Sequence, residues 1–525
     1  MRLISAALAL CIVPFSGCAP ERSAADSDHD TAAIDAIFDD VFTHYDLPGL
    51  ALGIVKDGTV IYRRTAGETI AGEGQAITPD SLFKIASNSK AMTTALLARL
   101  VDQGKLRWDD PVVKYLPQFK MGDPWITREL QVRDLLIHNS GLREGAGDLM
   151  LWPEPNEYTR ADIIAGLAHL KPERSFRSGY AYDNLLYVVA GEVAAAAGGA
   201  PYETLVRREL FEPLRMTRCQ AGEFRLAEVG NVAQPHTRVG GRNVGVRSDG
   251  EIVPTTTSMA AGGIRCSLND MLTWIGMWLD TEMRASDGKP WLTAARREEL
   301  WSAHTPMPIS KLQRQWDGSR FNAYGYGWRL SDVDGVLRVA HTGTLSGMYS
   351  AVMLLPEKHV GAVFMINGDA GQARTVLSEL LVKHFTAPHD TRRAKDYIAD
   401  LEAEAAATPS ESKAPDTSAR TAVVAASFGD RMGVYEDPWF GRVSICAQAG
   451  GVEFRAAKSP RLHGRLMQVG ERMLVDWEDP SVDAEAWIGF QSAKTVGFTL
   501  AKVDPEADFS YDYEDLAFTR VGACP

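Results

Sequence analysis

Cysteine is scarce in this chain, with six among 525 residues, and basic residues are outnumbered: 55 Lys and Arg against 68 Asp and Glu leave a formal charge of −13. No Lys/Arg-rich run marks a basic groove, and an acidic surface repels phosphate backbones, so nucleic acid is a poor partner. The cysteines form no CxxC pair and no zinc-ligand spacing, and no HExxH occurs, so nothing calls for a metal. No cofactor is indicated either. Beyond the N-terminus no segment reads as membrane-spanning, which takes about 20 consecutive apolar residues. What is present is core-forming material: 45% hydrophobic and 23% charged residues describe a globular protein. Its length predicts two domains, since one domain is typically about 100 to 200 residues.

Met1-Arg2 precedes an apolar run from Leu3 to Pro14, the charged-then-hydrophobic order of a secretory signal. Phe15-Ser16-Gly17-Cys18 ends that run and resembles the lipobox of bacterial lipoproteins, with Phe15 where that box usually carries Leu. The resemblance implies a signal over residues 1–18, lipidation of Cys18, and a polar tether over 19–30. It also implies a periplasm-facing lipoprotein of the bacterial cell envelope, in the outer membrane because no Asp follows Cys18. Of the remaining cysteines, Cys219, Cys266, Cys446 and Cys524, an oxidising compartment permits disulfides, and four buried thiols are the alternative. If disulfides form, Cys446 and Cys524 are expected to pair, because both fall in the C-terminal β region.

Helical spacing of Ile34, Ile37, Val41 and Tyr45 is followed by two strand-like stretches, Leu50 to Val55 and Thr59 to Arg63, joined by the hairpin signal Asp57-Gly58. Near residue 366 the pattern returns to strands: Tyr326 to Leu330, Leu337 to Ala340, Tyr349 to Leu355 and Val360 to Ile366. Helical stretches lie between these groups. Strands from both ends with helices between predict one antiparallel sheet closed by the two termini and flanked by helices, an α+β domain. From about Ala394 to Ala426 the composition turns to Ala, Glu, Ser, Thr and Pro, read as a helix and then a linker. Thereafter short alternating stretches recur about every ten residues, the signal of a small all-β sandwich or barrel.

Ser-x-x-Lys tetrads include Ser81 to Lys84, Ser87 to Lys90 and Ser410 to Lys413. Ser410 falls in the linker, and no long helix starts at Ser81. Ser87 directly precedes Met92, Leu96, Leu97, Leu100 and Val101, an amphipathic helix ended by Gly104. Residues three apart in a first helical turn share a face, so Lys90 can approach the Ser87 hydroxyl. The helix N-terminus favours negative charge there. Tyr182-Asp183-Asn184 before a further helix and His341-Thr342-Gly343 at a strand end accompany it in order.

With these three elements the chain resembles the serine β-lactamase and penicillin-binding-protein superfamily, in its class C-like esterase and D-peptidase branch. Further landmarks are Leu135 to Leu142, Ala261-Gly262-Gly263-Ile264 and Tyr324-Gly325-Tyr326-Gly327-Trp328. The resemblance covers about Thr31 to Phe385. It implies Ser87 as acylated nucleophile, Lys90 and Tyr182 as proton-transfer partners, and Asn184, His341, Gly343 and Thr344 as substrate-binding positions. The oxyanion hole would be the backbone N–H groups of Ser87 and Thr344. Met432 to Tyr435, Trp439 to Gly441 and Asp508 to Phe518 resemble the lipocalin-like domain that follows some of these enzymes, with Trp439 and Phe440 as candidates to line a ligand cup. The implied organisation is a hydrolase domain over 31–390, a linker over 391–425 and a lipocalin-like barrel over 426–525.

A serine hydroxyl needs an adjacent base. Lysine and tyrosine titrate near ~10.4 and ~10 in water, so either must be shifted by about three units, on the order of 4 kcal/mol. Burial favours neutral lysine, a positive neighbour favours tyrosinate, and a shared proton is a third answer. His341 stands where penicillin-directed members carry lysine. An imidazole is mostly neutral at pH 7, so weak, pH-dependent carboxylate binding is expected, and with it a preference for esters, amides or short peptides over β-lactams. The reading is therefore a serine hydrolase forming an acyl-enzyme on small-molecule or short-peptide substrates, some containing D-residues. The alternatives are a β-lactamase or penicillin-binding protein and, from another class, a non-catalytic envelope binding protein.

Overall fold

The computed structural model describes residues 24–246, 249–280, 282, 284, 288–407, 414–491 and 497–525. The signal, Cys18 and the Ser410 tetrad lie outside the described residues. The stretch expected as tether is helical from Ala24 onward, where α1 (Ala24–His44) begins.

The first domain is built on one antiparallel sheet. β1 (Gly49–Lys56) and β2 (Thr59–Gly67) form the expected hairpin, and Asp57 and Gly58 both take positive φ (50° and 74°), as a two-residue turn matched to strand twist requires. The helices that follow include α2 (Ser89–Asp102), α3 (Leu185–Gly198) and α4 (Leu268–Leu279). The strands return as β3 (Asn322–Tyr324), β4 (Arg329–Val333), β5 (Val336–Leu345), β6 (Met348–Leu355) and β7 (Val360–Ile366). The sheet order is β2-β1-β7-β6-β5-β4-β3, with the short strand Thr305–Pro306 at the far edge. Leu50 pairs with Ile366, so the two ends of the domain do close one sheet. β4 begins three residues later than the sequence suggested, because Gly327 takes φ 75° and turns the chain over α2.

α1, α5 (Gly371–Thr386) and α6 (Ala394–Ala407) cover one face, where Ile34, Phe38 and Val41 meet Phe364, Val376, Leu377 and Tyr397. The first part of the expected linker is thus a helix packed on the first domain. α4 covers the other face against β1 and β7, and α2 runs through the interior with residues 89 to 98 all buried.

Eight strands make the second domain: β8 (Gly433–Asp437), β9 (Gly441–Gln448), β10 (Gly451–Ala456), β11 (His463–Val469), β12 (Arg472–Trp477), β13 (Ala486–Phe490), β14 (Gly497–Lys502) and β15 (Ala517–Gly522). Each pairs with its successor, and β8 pairs with β15, which closes the barrel. Tyr435, Phe454, Leu466, Trp477, Phe498 and Phe518 are buried and pack in its core, as expected for a small barrel filled by side chains. Trp439 and Phe440 line no cup: they are buried near the hydrolase domain, whose Tyr158 hydroxyl donates to Phe440 O at 2.6 Å. Cys446 and Cys524 are joined, with Cα atoms 5.8 Å apart, and Cys219 is joined to Cys266. Among the described residues no single helix is long and apolar enough to cross a membrane.

Candidate active site

Ser87 sits in a single 3-10 turn, Ala86–Asn88, that runs into α2. Ala86 before it has φ 49°, a left-handed conformation that costs a non-glycine residue about 1 kcal/mol or more, so the surroundings must hold the turn. They do so from β6. The Ser350 hydroxyl donates to Ile85 O at 2.8 Å and accepts from Asn88 Nδ2 at 2.8 Å.

Lys90, fully buried, lies one turn on, and its Nζ meets Ser87 Oγ at 3.2 Å, Asn184 Oδ1 at 2.6 Å and Ala261 O at 3.0 Å. As an ammonium it donates to all three. As a neutral amine it has two N–H groups and one lone pair. Two of its partners are carbonyl oxygens that only accept, so both N–H groups go to them and the lone pair is left for the one partner able to donate, the Ser87 hydroxyl. Burial brings the lysine pKa down to about 7, against the raising fields of Asp148 and Asp183, with Arg329 assisting the fall. Tyr182 is buried beside it, with Lys90 Nζ 4.7 Å from the ring centroid. Burial pushes its phenol above the usual tyrosine range, and hydrogen bonding to Ser87 and the Arg329 charge only partly oppose this. Of the two candidate bases, lysine is the one that can give up its proton near pH 7.

Asn184 is turned toward Lys90 because its Nδ2 donates to Asp148 Oδ2 at 2.8 Å. Both ends of this amide are therefore engaged within the protein, although the residue borders the cavity. Ser81 is a different kind of serine: its hydroxyl oxygen accepts from Thr78 N and donates to Asn231 Oδ1, which ties down a loop.

His341 departs from the sequence expectation. Along β5, Thr342 and Thr344 are partly or fully exposed and line the cavity, whereas His341 and Gly343 alternate into the interior. The histidine Nδ1 lies 2.7 Å from Thr342 O, which only accepts, so that nitrogen carries the proton and Nε2 accepts from the Tyr324 hydroxyl at 2.7 Å. Burial first, then the charges of Arg329 and Lys90, push its pKa well below the usual histidine value. A neutral imidazole with both nitrogens occupied is no carboxylate ligand. Gly343 allows β5 to lie against the Ala86–Asn88 turn, since a Cβ there would collide with Ile85 O and Ser350 Oγ.

One cation at the cavity is Arg329, which the sequence alone did not single out; Lys84 and Arg461 also border it. Arg329 opens β4 opposite Ala340, sharing a sheet face with Thr342 and Thr344, and its Nε is buried with no hydrogen-bond partner among the described residues. Its guanidinium lies 5.9 Å from the Tyr182 ring centroid. An arginine directly after the Tyr324 to Trp328 landmark was the available signal. The cavity measures about 310 Å³ and is bordered by Ser87, Tyr182, Asn184, Arg329 and Thr344 from the hydrolase domain and by Asp508 to Tyr511 from the barrel domain.

The sequence model of the family described as Beta-lactamase matches residues 34–384, about two thirds of the chain. The chain belongs to the beta-lactamase family. Penicillin-binding protein 4 of Amycolatopsis lactamdurans is 27% identical over 348 residues, 65% of this chain and 86% of that protein. The D-alanyl-D-alanine-carboxypeptidase/endopeptidase AmpH of Escherichia coli K12 is 25% identical, covering 63% of this chain and 83% of its own. The octameric penicillin-binding protein homologue from Pyrococcus abyssi superposes with a TM-score of 0.57 at 17% identity, over 94% of this chain and all of that one. This beta-lactamase-family chain is a serine hydrolase of amide or ester bonds.

Proposed function

We propose that Ser87 is the nucleophile of an acyl-enzyme reaction on short peptides, D-residue-containing ones included, that end in a free carboxylate. The observation that carries this reading is Arg329 on the wall of the Ser87 cavity, half-buried, with a buried Nε that has no hydrogen-bond partner among the described residues. Arg329 titrates far above neutral pH and presents a planar fork suited to a carboxylate. Neutral Lys90 takes the Ser87 proton as Oγ bonds the substrate carbonyl carbon, and the backbone N–H groups of Ser87 and Thr344 receive the oxyanion. The scissile C–N or C–O bond then breaks, and the proton passes from Lys90 through Tyr182 to the departing amine or alcohol. Water releases the acyl group by the reverse relay. The names of the relatives, a penicillin-binding protein and a D-alanyl-D-alanine carboxypeptidase, agree with such substrates. A lipid anchor on Cys18 would place the enzyme at the bacterial envelope, facing the periplasm.

The test is mass spectrometry after a fluorophosphonate probe, with competition by a peptide ending in D-Ala-D-Ala, its C-terminal amide and a simple ester. Label on Ser87, displaced better by the acid than by the amide, is expected. Label elsewhere would refute the nucleophile, and equal competition by acid and amide would return the reading to a general esterase.

A further inference from the structure

The barrel domain borders the Ser87 cavity with Arg461, Ser481, Asp483 and residues 508 to 511, and the segment 508 to 512 reaches furthest toward Lys90 through its hydrogen bonds. The Ser510 hydroxyl donates to Asp148 Oδ2 at 2.8 Å, the same oxygen that accepts from Asn184 Nδ2. Asp512, itself fully buried, accepts from Gly147 N at 2.5 Å and Leu149 N at 3.1 Å, and so clamps the two residues that flank Asp148. Phe509 sets its ring 5.8 Å from that of Tyr182. Its carbonyl oxygen lies where a Cβ on Gly145 would come within 2.5 Å, so glycine there admits the segment. A continuous chain of hydrogen bonds therefore runs from Ser510 through Asp148 and Asn184 to Lys90 and Ser87.

We infer that the barrel is a working part of the catalytic site: Ser510, backed by Asp512, is a positioning residue that fixes Asp148 and, through it, the rotation of the Asn184 amide that aims the Lys90 lone pair at Ser87. The physical step is the amide orientation. Asn184 can place either its oxygen or its NH2 toward Lys90, and only the oxygen leaves the amine lone pair facing serine. Asp148 selects the oxygen because a carboxylate oxygen on the far side requires the NH2. Two hydrogen bonds hold that oxygen, one from Asn184 and one from the barrel. Without the Ser510 hydroxyl the carboxyl loses one of them and is freer to turn.

The charges that set the Lys90 titration come from Asp148, Asp183 and Arg329, and Asp512 acts on Asp148. Of these Ser510 hydrogen-bonds only Asp148 among the described residues. Loss of the Ser510 hydroxyl makes the Asp148 anion harder to keep and loosens the acceptor on Lys90. Both effects favour the neutral amine, so the titration moves to lower pH while the rate falls because the lone pair is no longer aimed.

The inference rests on Ser87 being the nucleophile, and the experiment separates the two. Fluorophosphonate acylation of the full chain is followed from pH 5 to 9, a range chosen to bracket a lysine shifted to near neutrality, in the parent and in Ser510→Ala, Ser510→Thr and Ser510→Val. In the parent, label accumulates on Ser87 and the rate rises through about pH 7. Ser510→Ala and Ser510→Val should lower the high-pH rate by about tenfold and move the midpoint downward, and Ser510→Thr, which keeps the hydroxyl, should restore both. Threonine and valine have the same shape, so their comparison stands even if alanine fails to fold. Parent-like rate and midpoint in Ser510→Val would overturn the positioning role while leaving Ser87 in place. A parent that is not labelled on Ser87 would overturn both.

Discussion

Lys90 Nζ lies 3.0 Å from the backbone carbonyl of Ala261, and this oxygen belongs to the Ala261-Gly262-Gly263-Ile264 segment, far from Lys90 in sequence. Together with the Asn184 oxygen it occupies both N–H groups of a neutral lysine. The acylation rate should consequently follow deprotonation of Lys90, rising with pH through about 7 and reaching a plateau well below the range where tyrosine ionises. Tyr182→Phe should lower the plateau by about 100- to 10,000-fold, the usual range for a lost proton-transfer group, and leave the midpoint near 7. A midpoint that moves with Tyr182 and not with Lys90 would identify the phenol as the base.

Arg329 and His341 make opposite predictions for substrate choice. A permanent cation holds a carboxylate equally at pH 5 and pH 8, a range that brackets histidine titration. For a peptide acid and its C-terminal amide, the ratio of kcat/KM should therefore be flat across that range. Arg329→Leu should reduce it by about 10- to 100-fold, in line with the 1.5 to 3 kcal/mol of a hydrogen bond to a charged group. A ratio that climbs as pH falls would restore His341 as the carboxylate ligand, against its position between Tyr324 and Thr342 O.

The elements carrying period and turn chemistry were legible in the sequence: the β1–β2 hairpin from Asp57-Gly58, α2 from its apolar spacing, the terminal sheet from strands at both ends. The grouping of Ser87, Lys90 and Tyr182 was also legible, because each lies beside a recognisable helix start. What the sequence could not show was direction. The assignment of His341 failed on alternation, since moving one position along a strand turns a side chain from cavity to core. Asp148 and Ser510 lie 362 residues apart, and no local pattern announces a hydrogen bond that depends on how two domains dock. A ligand cup was the barrel feature the sequence suggested, whereas its docked segment joins the hydrogen bonds that lead to Lys90.

The lipoprotein reading of the N-terminus has its own check. Cys18→Ser should shift the protein from the membrane fraction to the soluble periplasmic fraction without changing the Ser87 labelling rate. Unchanged membrane retention, or an unmodified mature N-terminus at another residue, would refute lipidation at Cys18.

Burying Lys90 should be visible in stability as well. Its folded pKa, about 7, lies below its ordinary 10.5, so between these values the unfolded chain binds more protons and folding stability rises with pH. The burden is full below about pH 7 and fades toward pH 10.5, amounting to on the order of 5 kcal/mol. Lys90→Met removes that slope. The difference in unfolding free energy between Lys90→Met and the parent should favour the variant most at pH 6 to 7 and narrow steadily toward pH 9. A difference independent of pH would mean that Lys90 is not held neutral by burial.

Gly343 supplies a geometric test of how the nucleophile turn is held. A Cβ on this residue would overlap Ile85 O and Ser350 Oγ and stand 3.0 Å from Ala86 Cβ. Ile85 O and Ser350 are the two groups whose hydrogen bond braces the left-handed Ala86, so the extra methyl cannot be absorbed at the far end of a flexible side chain. Either β5 retreats from the turn or Ser350 rotates away, and both release Ala86 and Ser87 from their arrangement. Gly343→Ala should cost about 1 to 3 kcal/mol in stability, the usual range for overpacking, and should slow Ser87 acylation by more than about tenfold through lost alignment. Gly276→Ala is the matched control: it lies within α4, a Cβ there meets nothing within 4 Å, and alanine is the better helix former by about 1 kcal/mol. It should leave acylation unchanged and stabilise slightly. If Gly343→Ala acylates at the parent rate, the contact between β5 and the Ile85 to Ser87 turn does not hold the nucleophile, and the brace must lie in the Asn88 to Ser350 hydrogen bond alone.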